Sequence, residues 1–225
     1  MREVTTFGEP ALRRVYGDWS SGSLAQWKKA VSELGMVANQ ETANTTGKNA
    51  TDIGLVIDAM DILHTGTFDG FVLVSSDSDF TALANRIREN GVDVIGIGEN
   101  KAPASLRNVC NRFILIENIV EQEPEPKSAP ETDTKKKATA TATKNKKHPP
   151  SKVVPLVNNA MKSIDDEGEW FGLGQIGQYL IRANPDFDPR TYGSAKLSDL
   201  LTKTGQFESR LSEGNRLEVR RLPKS

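Results

Sequence analysis

The chain of 225 residues is poor in cysteine and in long apolar runs. Cys110 is its only cysteine, so no internal disulfide can form, and a reducing compartment such as the cytoplasm fits this composition. No stretch approaches the roughly 18 consecutive apolar residues of a membrane span, and the first residues lack the apolar core of a signal peptide. These features predict a cytoplasmic protein whose single thiol packs among apolar neighbours.

The chain also lacks an excess of either charge, with 29 basic and 30 acidic side chains and a net charge of −1. Residues 1–120 carry 11 basic and 15 acidic side chains, a net of −4, whereas residues 121–150 carry +2 and residues 151–225 carry +1. An acidic N-terminal part is unusual for a protein that binds RNA unless metal ions neutralise the acids. The overall charge therefore neither supports nor excludes a nucleic-acid partner.

Residues 121–150 contain almost no apolar side chain other than alanine and are rich in Pro, Lys, Glu and Thr. Such a segment buries too little apolar surface to offset the entropy cost of ordering. We therefore predict a disordered linker between two folded domains, residues 1–120 and residues 151–225. Lysines of the linker are either solvated or make nonspecific contacts with phosphate.

Strand and helix patterns alternate through the first 120 residues. Strands are predicted at 11–16, 36–41, 70–75, 92–97 and 112–116, and helices at 24–34, 52–63, 80–90 and 104–110. The run at 70–75 is continuously apolar, which is typical of a strand buried on both faces of a parallel sheet. This alternation predicts right-handed βαβ units and an α/β fold with a doubly wound parallel sheet.

The C-terminal part has a different pattern. Helices are predicted at 152–164, 171–182 and 193–204, and alternating residues at 206–211 and 216–221 flank a turn. Three helices followed by a β-hairpin predict a small winged-helix domain.

Acidic residues directly follow the apolar run at 70–75. Ligands of open α/β sheets bind beyond the carboxyl ends of the strands, so Asp77 and Asp79 lie where functional residues are expected. Asp52, at the start of its helix, is a candidate third carboxylate. Clustered carboxylates repel one another unless a cation lies between them, and oxygen ligands favour Mg²⁺ or Mn²⁺. Such a set predicts metal-assisted phosphodiester cleavage, with these three residues as metal ligands and catalytic groups.

Each of these acids also has a simpler interpretation. In this interpretation Asp79 caps the helix that begins near Phe80. Asp77 is then a turn residue, and Asp52 complements the positive end of its own helix dipole. Lys48 is either a phosphate contact or an ordinary surface lysine.

Several motifs occur in the order typical of the NYN domain family of LabA-like proteins. They are RVYGDW at 14–19, TTGKNATD at 45–52, DAMD at 58–61 and SSDSDF at 75–80. Residues 1–118 resemble this family, which implies a PIN-like fold and metal-dependent RNA cleavage, with Asp52, Asp77 and Asp79 at its acidic positions. Family members begin with an apolar strand ending in Asp, and this chain starts after the corresponding segment. We therefore expect a PIN-like sheet without its first strand, and either an active ribonuclease or a catalytically dead RNA-binding adaptor.

The residues NPDFDPRTYG at 184–193, followed by KLSDLL at 196–201, resemble the OST-HTH/LOTUS family of winged-helix modules, which implies binding to RNA or to protein partners. Tyr192 either stacks on a base or packs beside its helix. Because the domain carries little net charge, a protein-interaction scaffold stays open. Basic residues of the third helix and the hairpin are candidate phosphate contacts: Lys196, Lys203, Arg216 and Arg220.

Overall fold

The fold is taken from a computed structural model, which describes residues 3–20, 22–41, 49–120, 147–165, 169–212 and 214–222. The chain divides into two compact units. The first unit comprises Met1–Leu73 and Asp77–Val94, and the second comprises Val74–Ser76 and Ile95–Ser225. None of the helices in the described ranges combines the length and the apolar character needed to cross a membrane.

The first unit begins with a parallel strand–helix–strand arrangement. Strands β1 (Arg14–Gly17) and β2 (Val37–Gln40) pair in parallel, and helix α1 (Ala25–Glu33) connects them. Gly35 follows the helix at φ 60°, a left-handed conformation that glycine adopts without strain and that commonly ends a helix. The predicted βαβ pattern is confirmed here.

Helix α2 (Ala50–His64) packs against β1 and is followed by strand β3 (Gly70–Val74) and helix α3 (Thr81–Glu89). Three residues of α3, Leu83, Ala84 and Ile87, are buried at the three- and four-residue spacing that places them on one helix face.

Strand β4 (Asp93–Gly98), helix α4 (Ala104–Val109), strand β5 (Arg112–Leu115) and helix α5 (Ile116–Val120) follow. In the described part of the chain, β3, β4 and β5 form one sheet in that order, and β4 pairs with β5 in parallel. The amide of Ser75 donates to the carbonyl of Ile97 at 2.9 Å, which extends the ladder just beyond β3.

The C-terminal part contains helix α6 (Val153–Ile164), strand β6 (Phe171–Gly172), helix α7 (Leu173–Ala183), helix α8 (Leu197–Thr204) and strands β7 (Phe207–Leu211) and β8 (Leu217–Arg221). The three strands form an antiparallel sheet in the order β6-β8-β7. The helices bury a common core with the sheet that includes Val157, Ile176, Leu180, Leu200 and Val219. The predicted winged-helix arrangement of helices and hairpin is confirmed.

The structure differs from the sequence-based expectation in the sheet. The α/β class with parallel strands is confirmed, but the described strands of the N-terminal part form two sheets, β1-β2 and β3-β4-β5, and not one. The prediction that β3 is buried on both faces is wrong, since its residues alternate in exposure and the side chain of Val74 is 67% exposed.

The starts of two helices also differ. The predicted helix at 171–182 begins only at Leu173, because Phe171 and Gly172 pair with β8. The predicted helix at 193–204 begins at Leu197, because a 3₁₀ helix (Pro189–Tyr192) ends at Gly193 with φ 76°. Within the predicted linker, residues 121–146 lie outside the described residues, whereas the amide of His148 donates to the carbonyl of Thr191 at 2.9 Å.

Candidate functional site

Three predicted acidic residues lie in two separate stretches of the first unit. Asp52 is half-buried in the first turn of α2, and Asp77 and Asp79 are exposed beyond the end of β3. The carboxylate of Asp77 accepts a hydrogen bond from the amide of Asp79 at 3.0 Å and thereby caps the 3₁₀ helix Ser78–Phe80. Asp77 therefore caps this 3₁₀ helix, whereas α3 has Phe80 at its N-cap and no side-chain capping bond, so Asp79 does not cap α3.

The three carboxylates interact electrostatically. Burial, and then the negative charges of Asp77 and Asp79, raise the pKa of the Asp52 carboxyl above its usual value. Asp52 is thus close enough to the other two acids for their charges to disfavour its ionised form. A cation placed among the three would relieve this repulsion.

The chemistry of these side chains suits a divalent metal ion, but their arrangement does not form a complete site. Among the residues that the structure describes, no group of three or more His, Cys, Asp or Glu side chains is arranged to hold a metal ion. A preformed cage of protein ligands is therefore absent from this part of the chain. Carboxylate oxygens nevertheless match the donor chemistry of Mg²⁺, an ion that usually keeps several waters and needs only one or two carboxylates besides phosphate oxygens.

A fourth acid, Asp58, has a structural partnership of its own. Its carboxylate accepts hydrogen bonds from the Arg14 guanidinium and the Tyr16 hydroxyl of β1, and from the Asn39 amide of β2 at 3.4 Å. Burial raises the pKa of Asp58, but the bonds from Arg14 and Tyr16 outweigh it and the pKa is lowered overall. Asp58 therefore joins α2 to both strands of the first sheet.

The candidate RNA contacts differ in how exposed their charges are. Lys196, at the N-cap of α8, and Arg216, in the hairpin turn, are exposed. Lys203 is also exposed, but its ammonium donates to the carbonyl of Gly193 at 2.6 Å and is thereby tied to the segment that precedes α8. Lys48 lies outside the described residues.

Arg220 belongs to a charge ladder on one face of the β7–β8 hairpin. Its guanidinium pairs with Glu208, directly opposite in the register, and with Glu169. Arg210 pairs in the same way with Glu218 across the strands at 2.9 Å. Both guanidinium groups lie over the Trp170 ring, with their central carbons 4.0 Å (Arg210) and 4.7 Å (Arg220) from the ring centroid.

The ladder changes the interpretation of the hairpin. A guanidinium with two carboxylate partners has several of its N–H donors occupied, and the carboxylates offset its positive charge, which weakens its attraction for a phosphate. Arg220 is therefore a weaker candidate for RNA contact than Arg216. The alternation at 206–211 and 216–221 predicted the strands, but the ladder depends on the register, which the sequence pattern does not contain.

Tyr192 is half-buried and packs against the C-terminal core. Its ring lies 5.9 Å from that of Phe187 and 5.8 Å from that of His148, in an edge-on arrangement. Burial, and then the charge of Asp186, raise the pKa of its hydroxyl. This environment favours the packing alternative over base stacking.

Comparison with known proteins gives two family matches. The model of the NYN domain matches residues 1–117, and the model of the OST-HTH/LOTUS domain matches residues 144–218. No curated protein sequence matches the chain.

Two solved structures are similar in part. One is the crystal structure of a protein of unknown function from Vibrio parahaemolyticus RIMD 2210633, which is 21% identical over 51% of this chain and 74% of its own, with a TM-score of 0.44. The other is the solution structure of an uncharacterised protein from Nitrosomonas europaea, which is 28% identical over 46% of this chain and 95% of its own, with a TM-score of 0.28.

Proposed function

Because the chain belongs to the NYN domain family, we propose that it is an RNA-binding protein of the metal-dependent ribonuclease type, directed to RNA by its C-terminal OST-HTH/LOTUS domain. Both family matches support an RNA-associated function. The observation that carries the catalytic part of the proposal is the placement of Asp77 and Asp79 directly after β3 and of Asp52 in the first turn of α2, where the charges of Asp77 and Asp79, after burial, raise the pKa of Asp52.

In this proposal Asp52, Asp77 and Asp79 would supply carboxylate oxygens to Mg²⁺ or Mn²⁺, an ion that would keep several waters as further ligands. When bound, such an ion neutralises charge on the scissile phosphate and lowers the pKa of a water molecule. Asp52 is half-buried, so its contribution is to fix one side of the site on a helix. Asp77 is held by its bond to the Asp79 amide, which orients its carboxylate before RNA arrives.

The RNA-binding part of the proposal assigns phosphate contacts to exposed cations of the C-terminal domain. Lys196 and Arg216 are its principal residues, because both are exposed and lie on α8 and the hairpin turn, the elements that carry the predicted contacts. Lys203 and Arg220 are secondary, since each already has partners within the domain.

The catalytic proposal is tested by replacing Asp77 with Asn. Asparagine retains an oxygen that accepts the amide bond of the cap and removes only the charge, so folding is preserved. We expect Asp77→Asn to abolish Mn²⁺-dependent cleavage of single-stranded RNA and to leave RNA affinity unchanged. The matched control is Asp69→Asn, which removes an exposed acid of the same unit and is expected to cleave at the wild-type rate. Wild-type cleavage by Asp77→Asn rules out the metal role.

The RNA-binding proposal is tested by a salt titration of RNA affinity. Each phosphate contact with a single strand contributes about 0.7 to the slope of log K against log salt. The double variant Lys196→Ala/Arg216→Ala is therefore expected to bind more weakly and to lower that slope by roughly 1.4. The control Lys152→Ala/Lys162→Ala removes two exposed lysines from around α6, and its slope should equal that of the wild type.

Two alternatives have support of their own. The absence of a three-ligand cluster in the described residues favours a catalytically dead adaptor that binds RNA without cleaving it. The adaptor is indicated if the wild type binds RNA but shows no cleavage at any Mn²⁺ concentration. The neutralised ladder around Trp170 favours a protein-interaction scaffold, which is indicated if RNA affinity is absent at low salt.

The proposal includes a division of labour along the chain. The catalytic part is assigned to residues 1–120 and RNA targeting to residues 151–225, with 121–150 as the connecting linker.

Cys110 is buried and its thiol donates to the carbonyl of Leu106 at 3.2 Å. A single buried thiol is compatible with the reducing cytoplasm that we propose as the location.

A further inference from the structure

Within the second unit, the segment Asn184–Thr191 contacts strand β5 and helices α4 and α5. The amide of Phe113, in β5, donates to the carbonyl of Pro185 at 2.9 Å. This backbone bond lies on β5, the terminal strand of the described sheet β3-β4-β5. An edge strand presents backbone groups that need a partner or a cover, and Pro185 supplies one here.

The side chains around this backbone bond are complementary in charge. On the side of α4 and β5 lie two arginines, and on the side of the segment lie two aspartates. Arg107 donates to Asp186 at 3.1 Å, and Arg112 lies 3.9 Å from Asp188. Arg107, Arg112 and Asp188 are less than one-fifth exposed, so both pairs are partly shielded from solvent.

A fourth contact extends the surface towards the 3₁₀ helix that follows. The amide of Asn118, in α5, donates to the Thr191 hydroxyl at 2.9 Å, and Asn118 is only 7% exposed. A buried side-chain amide without a hydrogen-bond partner destabilises the fold. The Thr191 hydroxyl provides this partner for Asn118 of α5.

The segment is anchored equally well in its own domain. Phe187 is 5% exposed and belongs to the C-terminal core. The carboxylate of Asp188 accepts bonds from the amide and the guanidinium of Arg190 at 2.7–3.0 Å, which fixes the 3₁₀ helix. The same short stretch therefore has one side in the C-terminal core and the other against α4, β5 and α5.

We propose that Asn184–Thr191 is an intramolecular docking segment, which fixes the C-terminal domain to strand β5 and to the flanking helices α4 and α5. The C-terminal domain is then held by a specific surface and not only by the covalent connection through residues 121–146. This surface is distinct from the exposed cations Lys196 and Arg216, so docking and RNA binding use different residues of the domain.

Amide hydrogen exchange by NMR on the full chain tests the docking directly. The Phe113 amide reports the docked state because its acceptor is Pro185. The Ser75 amide, bonded to Ile97, reports the N-terminal sheet, and the Leu200 amide, bonded to Lys196, reports the C-terminal domain. In the wild type we expect all three amides to be protected.

Asp186→Arg replaces the carboxylate partner of Arg107 with a second cation. We expect exchange at Phe113 to rise about tenfold or more, since loss of a partly buried ion pair and like-charge repulsion each weaken such a contact, while Ser75 and Leu200 stay protected. Asp186→Asn should give a smaller increase. Asp199→Arg makes the same charge change on α8 and should leave Phe113 unaffected.

Equal Phe113 exchange in Asp186→Arg and Asp199→Arg overturns the proposal. If Asp186→Arg accelerates all three amides together, the variant is unfolding, and Thr191→Val decides. This variant removes only the hydroxyl that Asn118 uses, and it should accelerate Phe113 about threefold with the other two amides unchanged. Wild-type exchange at Phe113 in Thr191→Val then refutes docking through this segment. Neither variant touches Lys196 or Arg216, so this outcome is independent of the RNA-binding proposal.

Discussion

Asp58 offers the sharpest test of how the first unit is held together. In Asp58→Asn the side chain keeps its shape but loses its charge. Its amide group then meets donors from Arg14, Tyr16 and Asn39, all of which now bond to the carboxylate. One amide oxygen cannot satisfy all three donors, so at least one of them loses its partner.

The size of the effect follows from burial. Loss of a hydrogen bond to a charged group costs about 1.5–3 kcal/mol when the group is buried. The side chains of Asp58 and Arg14 are 25% and 31% exposed, so solvent screening reduces the ion-pair part. We expect Asp58→Asn to lower the free energy of unfolding by about 2 kcal/mol and the melting temperature by roughly 5–10 °C.

The pH dependence gives this prediction a second readout. The pKa of Asp58 is lower in the folded protein than its usual value of 3.8, so the charged carboxylate stabilises the fold above that pH. The stabilisation is lost as pH falls through the folded value. The difference between wild type and Asp58→Asn should therefore be full at pH 7 and shrink below roughly pH 4.

Urea denaturation followed by circular dichroism, repeated at several pH values, measures the free energy of unfolding and its pH dependence. Asp61→Asn is the control, because Asp61 is exposed on the same helix and the charge change is identical. We expect Asp61→Asn to lie within about 0.5 kcal/mol of the wild type at every pH. Equal stabilities of Asp58→Asn and Asp61→Asn at pH 7 refute the structural role of Asp58.

Three further predictions concern packing. A Cβ added at Gly96 overlaps the Phe113 ring and lies 2.9 Å from the Cys110 sulphur. Gly96→Ala should therefore lower the free energy of unfolding, measured by urea denaturation, by about 1–3 kcal/mol. Its control Gly174→Ala, which adds a Cβ in open space, should leave that free energy unchanged or raise it. Leu200 is fully buried in the C-terminal core, and Leu200→Ala should cost about 2–5 kcal/mol in the same assay. Cys110 is 1% exposed, so its thiol should react with a disulfide reagent only in denaturant, and rapid reaction under native conditions contradicts its burial.

The order of elements was predictable because apolar periodicity is a local property. The patterns at 24–34, 52–63 and 80–90 predicted α1, α2 and α3 within a few residues, and Gly35 marked a true helix end. The exposure of β3 was not predictable in this way. A continuous apolar run indicates that a strand can be buried on both faces. Whether both faces are covered depends on which other elements of the fold pack against the strand.

The partners of charged residues were the other limit. Asp58 lies in the DAMD motif at 58–61, but the motif does not reveal its partners. Only the register of β1 against β2 brings Tyr16 and Asn39 opposite each other and both to the same carboxylate. Likewise an arginine such as Arg220 is a residue type that often contacts phosphate, yet Glu208 lies directly opposite it across the strands. Such pairings depend on contacts between residues far apart in sequence, which spacing alone does not specify.

These pairings also determine how the NYN and OST-HTH/LOTUS motifs should be interpreted. The residues that made the C-terminal motif recognisable, Asp186, Asp188, Arg190 and Thr191, are engaged in internal bonds and in contacts with α4, β5 and α5. The polar groups of these four side chains therefore have partners within the fold. Among the residues that the structure describes, the exposed cations Lys196 and Arg216 form no ion pair, so we expect a loss of RNA affinity on their removal to reflect the interface and not a damaged fold. If that double variant instead lost stability, its weaker RNA binding would no longer report phosphate contacts.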